Sequence, residues 1–181
     1  LSKVGLYRMM QRVRQFFRAI RASLNVADIN YIKKYLPDEA QQLFFAMNLS
    51  DQYHALQVAY TAERIGAKQP LDLPFLIRCA LLHDVGRRKG DMGVIGKVFA
   101  VLLHAACPSF SRRWAKKERA SLLDFLRHAL YVYYCHPAIG AELLRQAGFL
   151  KEADVIRHHH EPSKEGDSLV LRILRQADEQ N

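Results

Sequence analysis

Eight histidines and a few carboxylates carry most of the chemistry open to this chain. His83 and Asp84 close a strongly apolar run (Phe75, Leu76, Ile77, Ala80, Leu81, Leu82), so two polar side chains emerge beside a core. His54 shares a helical face with Val58, Ala62 and Ile65, which points it inward. His158, His159 and His160 end a segment whose apolar side is Ala153, Val155 and Ile156. Asp178 falls four residues after Leu174 and eight after Val170, on or beside the buried stripe of the last helix. A buried carboxylate without a cationic partner costs on the order of several kcal/mol. Singly, each residue has an ordinary structural explanation: a core histidine, a helix cap, an acid near a helix end. The ordered set H…HD…H…HH…D on separate helices is different, because a transition-metal site would remove the cost of burying all of them together.

The elements that must position these groups are helical. Apolar residues recur at three and four throughout, and no convincing period-two strand is present, so the chain reads as all-α. Leu6, Met9, Met10, Val13, Phe16, Phe17, Ile20 and Leu24 define one amphipathic helix with a basic opposite face. Short helices over 28–35 and 38–48 are separated by Pro37. Ser50 or Asp51 reads as the N-cap of a helix ending near Gly66, taken as a C′ glycine. Further helices are expected over 74–84, 94–106 and 116–134, the last stopped at His136-Pro137, then over 138–147, 150–160 and 168–178. This divides the chain into an N-terminal helical region, 1–49, and a domain over 50–181 that bears the motifs.

Composition narrows the class. The 181 residues are 50% hydrophobic and 25% charged, which suits about one globular domain and excludes wholesale disorder. Three scattered cysteines, Cys79, Cys107 and Cys135, give neither a disulfide framework nor a CxxC motif. They are expected to be small core residues in a reducing, cytoplasmic compartment. No apolar run is long enough to span a bilayer. The net charge of +9 favours anionic partners, and it is uneven. Residues 1–24 hold Lys3, Arg8, Arg12, Arg14, Arg18 and Arg21 with no acid, and a second basic excess runs from Arg87 to Arg119. The plain reading of the basic helix is docking on the domain; the sharper one is peripheral attachment to an anionic membrane through residues 3–24. No motif for specific nucleic-acid recognition accompanies the charge.

The set His54, His83-Asp84, His136, His159-His160 and Asp178 resembles the HD superfamily of metal-dependent phosphohydrolases. The neighbourhoods agree: Tyr53-His54-Ala55-Leu56, Leu81-Leu82-His83-Asp84-Val85-Gly86, His136-Pro137-Ala138-Ile139-Gly140 and His159-His160-Glu161. The resemblance covers roughly 50–181 and is to the HDIG-like, binuclear branch that includes bacterial cyclic-dinucleotide phosphodiesterases. It implies a compact helical bundle with two divalent transition-metal ions (Fe, Mn, Co, Ni or Zn). His54, His83, Asp84 and Asp178 would hold one, and Asp84 would bridge to a second held by His136, His159 and His160. His159 and His160 are chosen over His158 because Glu161 follows them. Where relatives often carry lysine after the HD turn this chain has Arg87, whose planar fork suits phosphate. Arg88 and His128 are further candidates for phosphate contact, and Asp84 and Arg87 for catalysis. Pro162-Ser163-Lys164 follows Glu161 in place of a GYP signature, which argues against cyclic di-GMP as substrate.

The implied activity is hydrolysis of a nucleotide or another phosphate ester, a phosphodiester included, by a metal-activated water. Two other classes share these residues. Some HD-fold proteins use a di-iron pair of similar ligation for oxygenase chemistry, and HD-like domains that have lost their metals serve as non-catalytic signalling modules.

Overall fold

A computed structural model describes residues 23–181. The expected basic helix over 1–24 lies almost wholly outside the described residues. The fold is all-α, and the extended pairing among the described residues is an isolated bridge between Met47 and Arg88. Helix α1 (Val26–Tyr35) starts in a capping box: Asn25 accepts the Asp28 backbone N–H, and Asp28 accepts that of Asn25. Helix α2 (Asp38–Phe45) begins after Pro37 and is followed by α3 (Leu49–Gly66) and α4 (Leu73–Leu82), the latter capped by Asp72. Helices α5 (Val94–Ala106) and α6 (Pro108–Trp114) precede the longest, α7 (Leu122–Gln146), which Ser121 caps. Helix α8 (Leu150–Arg157) and α9 (Leu169–Gln180), capped by Ser168, complete the order. No described helix is long and apolar enough to cross a membrane.

Among the described residues, two hydrophobic clusters share α7. Around α4, whose Leu76, Ile77, Ala80 and Leu81 are fully buried, pack Ala55, Leu56 and Ala59 of α3, Ala141 and Leu144 of α7, Ile156 of α8 and Leu174 of α9. Helices α1 and α2 add Ile32, Leu36, Ala40 and Phe44 to this same cluster. The smaller cluster joins Met92 and Ala100 of the α5 arm to Ala129, Leu130 and Val132 of α7. His136 lies on α7 between the segments serving each cluster, so the polar residues gather at a seam.

Several local expectations are corrected. Helix α7 does not stop at His136-Pro137 but runs through Pro137. Proline lacks an N–H, so the Tyr133 carbonyl four residues back loses its helical donor. The His136 ring takes that place: Nδ1–H donates to Tyr133 O at 3.0 Å and to Val132 O at 3.2 Å. The start of α7 is Leu122 rather than residue 116. Asn48, not Ser50 or Asp51, is the N-cap of α3. Gly66 is the last helical residue of α3 with a right-handed successor, and its reason is space: a Cβ there would sit 2.5 Å from Leu76 Cδ2. Of the cysteines, Cys79 is buried, whereas Cys135 is half-buried and Cys107 exposed.

A close backbone approach joins the turn after α4 to α7. A Cβ on Gly86 would lie 2.1 Å from the His136 carbonyl oxygen and 2.8 Å from the Gly140 nitrogen. Neither atom can yield without moving a helix. Gly86→Ala is expected to lower the urea-unfolding free energy by about 3 kcal/mol or more. Gly93→Ala, where nothing lies within 4 Å, should stay within about 0.5 kcal/mol of the parent.

Candidate metal centre

Five helices deliver polar groups to one place. His83 is the C-cap of α4, and its Nδ1–H donates to the Ala80 carbonyl at 2.8 Å, a consequence of the local turn. In the neutral ring this leaves Nε2 as a lone-pair donor. His159, just past α8, repeats the device on Ile156 O at 2.6 Å, and His136 does so on α7. Backbone acceptance of one ring N–H is the usual way a ligating histidine is oriented. His54 of α3 meets Asp178 of α9, Nε2 to Oδ1, at 3.0 Å. His83 Nε2 lies 3.6 Å from both Asp178 Oδ1 and Asp84 Oδ2, and His136 Nε2 lies 3.4 Å from Asp84 Oδ1.

The ligand atoms fall into two groups that could each hold a metal ion: His54, His83 and Asp84, and His136, His159 and His160. Within each group the atoms lie within 4.8 Å of one another. His83 Nε2, Asp84 Oδ1, His159 Nε2 and Arg87 Nε are buried and have no hydrogen-bond partner. Orphaned buried polar atoms are rare in folded proteins because each costs about 1–3 kcal/mol. His160 is exposed and opens on a cleft of about 400 Å³, which His159, Glu161, Arg172, Gln176 and Asp178 also line.

The electrostatics divide the imidazoles. Burial, then the positive charge of Arg87, pushes His136 well below its ordinary pKa. Burial, with the neighbouring His160 and His83 rings, takes His159 down to about 3, and burial lowers His160 as well. All three are uncharged near neutrality, the state a metal ligand needs. Burial would lower His54 too, but its hydrogen bond to Asp178 outweighs this and the net shift is upward. Burial would raise Asp84, yet Arg87 and the histidines around it hold its carboxyl well below the usual range. Asp178 is lowered in the same way, chiefly by His54.

Of the remaining sequence candidates, Arg87 joins the cluster and Arg88 and His128 do not. Arg87 Nη1 donates to Asp84 Oδ2 at 2.6 Å and Nη2 to His136 Nε2 at 3.1 Å. Arg88 is exposed and its backbone N–H donates to Asp91. The His128 ring lies between the Lys117 carbonyl and Arg119, at 2.6 Å from each. His158 also stays outside both groups, donating to Asp154 O with Nε2 3.9 Å from Glu161.

Three participants escaped the sequence reading. Asp51 is fully buried, 3.9 Å from Arg87 and bonded to Lys97 of α5. Its signal was present, since it precedes His54 by one turn on the same face. Arg175 of α9 donates to the carbonyl oxygens of His158 and His159 at 2.8 and 3.2 Å, fixing the histidine turn. Nothing local in the sequence marks Arg175 or Lys97 for these contacts. Comparison of the chain with protein-family models, with curated proteins and with solved structures returned no match.

The depressed imidazoles make stability depend on pH. Below about 6.5 the unfolded chain takes up protons that folded His136, His159 and His160 resist, so stability falls with pH. His54 acts in the opposite sense, its contribution being full in acid and lost as pH rises through its raised folded value. His159 should supply a slope approaching about 1.4 kcal/mol per pH unit between about 6.5 and 3. In chelator-treated protein, His159→Gln is expected to flatten the urea-unfolding free energy against pH by that amount. An unchanged slope would show that the ring is not held uncharged.

Proposed function

We propose that the chain is a metal-dependent phosphohydrolase that cleaves a phosphate ester, with a nucleotide as the substrate class that the HD-superfamily resemblance implies. The observation that carries this reading is the three potential acceptors among the unpartnered buried atoms, His83 Nε2, Asp84 Oδ1 and His159 Nε2, within two groups of ligand atoms. A structure that buries such atoms without partners is best explained by cations that complete them. The mixed imidazole and carboxylate donors fit Mn, Fe, Co, Ni or Zn better than an all-oxygen Mg site. His54, His83 and Asp84, with Asp178 beside them, would hold one ion, and His136, His159 and His160 the other, Asp84 serving both. Two such ions would supply Lewis acidity towards a phosphoryl oxygen and a water of lowered pKa.

The protein's own groups have separate tasks in this reading. Arg87, whose charge Asp84 and Asp51 stabilise, would turn the Nη2 that meets His136 to a non-bridging phosphate oxygen once a metal ion takes His136 Nε2. Asp51 and Lys97 hold that guanidinium in place, and Arg175 holds the turn that presents His159 and His160. The cleft beside His160 admits the rest of the substrate.

Elemental mass spectrometry on protein purified without chelator should find two transition-metal atoms per chain, and fewer in Asp84→Ala and His159→Ala. With Mn under anaerobic conditions, hydrolysis of bis-p-nitrophenyl phosphate is expected. Asp84→Ala should lower kcat/KM by about 10³ or more, the equivalent of about 4 kcal/mol of barrier. Arg87→Ala should lower it by about 10². Iron-specific O₂ consumption without anaerobic hydrolysis would replace this reading with the di-iron oxygenase. Failure to take up Mn, Fe or Zn would leave the non-catalytic module.

A further inference from the structure

The α5–α6 arm has two unlike faces. Inward, Gly96 packs so close to α7 that a Cβ would meet Ala129 Cβ at 3.0 Å, Ala100 is fully buried, and Lys97 bonds Asp51. Outward, Ile95, Val98 and Leu102 form a stripe at three and four on α5, with Ile95 75% exposed. Phe110 of α6 is also exposed and stacks on Trp114, whose ring meets Phe99 of α5, so the apolar surface continues across both helices. Contiguous exposed apolar residues of this kind mark a surface that something covers.

Charge decides what that is. Residues 92–117 contain Lys97, Arg112, Arg113, Lys116 and Lys117 and no Asp or Glu; Asp91 just before them pairs with Arg119, and Glu118 just after them is exposed. Asp51 and Asp124 engage the two lysines at 97 and 116. Arg112 lies over the Tyr134 ring, Arg113 and Lys117 are exposed, and no described carboxylate pairs with any of these three. A second copy seated symmetrically on this face would bring like charges together, which opposes association. Residues 1–24, themselves basic and free of acid, would meet the same repulsion. A bilayer with anionic headgroups satisfies both features, taking the apolar stripe into the headgroup–acyl boundary while the cations face lipid phosphates. A polyanion such as nucleic acid would answer the charge but not Ile95, Val98 and Leu102.

We propose that the outer face of α5 and α6, formed by Ile95, Val98, Leu102 and Phe110 and accompanied by the exposed Arg113 and Lys117, is a docking surface for an anionic lipid bilayer. The full chain should sediment with vesicles of equal parts phosphatidylcholine and phosphatidylglycerol and not with phosphatidylcholine alone. Ile95→Glu with Leu102→Glu should weaken binding by about tenfold or more. Arg113→Gln with Lys117→Gln should weaken it about fivefold per charge. Both variants should keep the parent's thermal midpoint and metal content. The proposal is overturned if no vesicle is bound, or if Arg→Gln changes at 8, 12, 14, 18 and 21 abolish binding that the α5 and α6 variants leave intact. It also fails if duplex DNA competes and the Glu variant binds vesicles normally, which would mean electrostatic attraction alone. A sharp loss of thermal stability in the Glu variant, or loss of a dimer, would show that protein already covers the face.

Discussion

Asp84 is the constraint around which the molecule is arranged. Its carboxyl is almost wholly removed from water, a state that costs several kcal/mol by order of magnitude unless cations and hydrogen bonds surround it. Arg87 answers one oxygen, and the rings of His83 and His136 stand close by. Burying Arg87 in turn calls for Asp51, and Asp51 for Lys97, so compensation passes outward from the seam to α5. On the other side Asp178 stands between His83 and His54. Breaking any link leaves an isolated charge in a poorly solvated place, which is more damaging than never having had the pair.

Packing serves that arrangement. Helix α4 is apolar enough to run through the larger cluster and deliver the His83-Asp84 turn at its end. Two glycines, Gly86 and Gly140, let the turn lie directly on α7. Pro137 then frees a carbonyl that orients His136. Glu152 and Arg78, paired at 2.9 Å, tie α8 to α4 and so place the turn bearing His159 relative to His83. His83, His136 and His159 reach the seam with Nδ1 committed to a backbone carbonyl, and His83 and His136 turn Nε2 towards Asp84.

The two functional proposals rest on different physics. The phosphohydrolase reading depends on unpartnered buried atoms at the seam; the lipid surface depends on exposed apolar side chains of α5 and α6 and on the exposed Arg113 and Lys117. Lys97 faces one and the Ile95 stripe the other, so a single helix separates the chemistry from the docking face.

Periodicity and residue type made the all-α class, most helix positions and the inward direction of His54, His83 and Asp178 legible in the sequence, because these follow from which face of a helix is apolar. The break assigned to Pro137, the cap assigned to Ser50 or Asp51 and the burial assigned to Cys107 all failed for one reason. Each depends on what a neighbouring element supplies, and local pattern carries no record of it. A lone proline reads as a stop until a side chain accounts for the freed carbonyl. An acid at the third position of a helix reads as a cap until Lys97 and Arg87 arrive from elsewhere in the chain. The sequence determined which side chains need partners; only the tertiary structure decided which partners they have, because those contacts join residues dozens of positions apart.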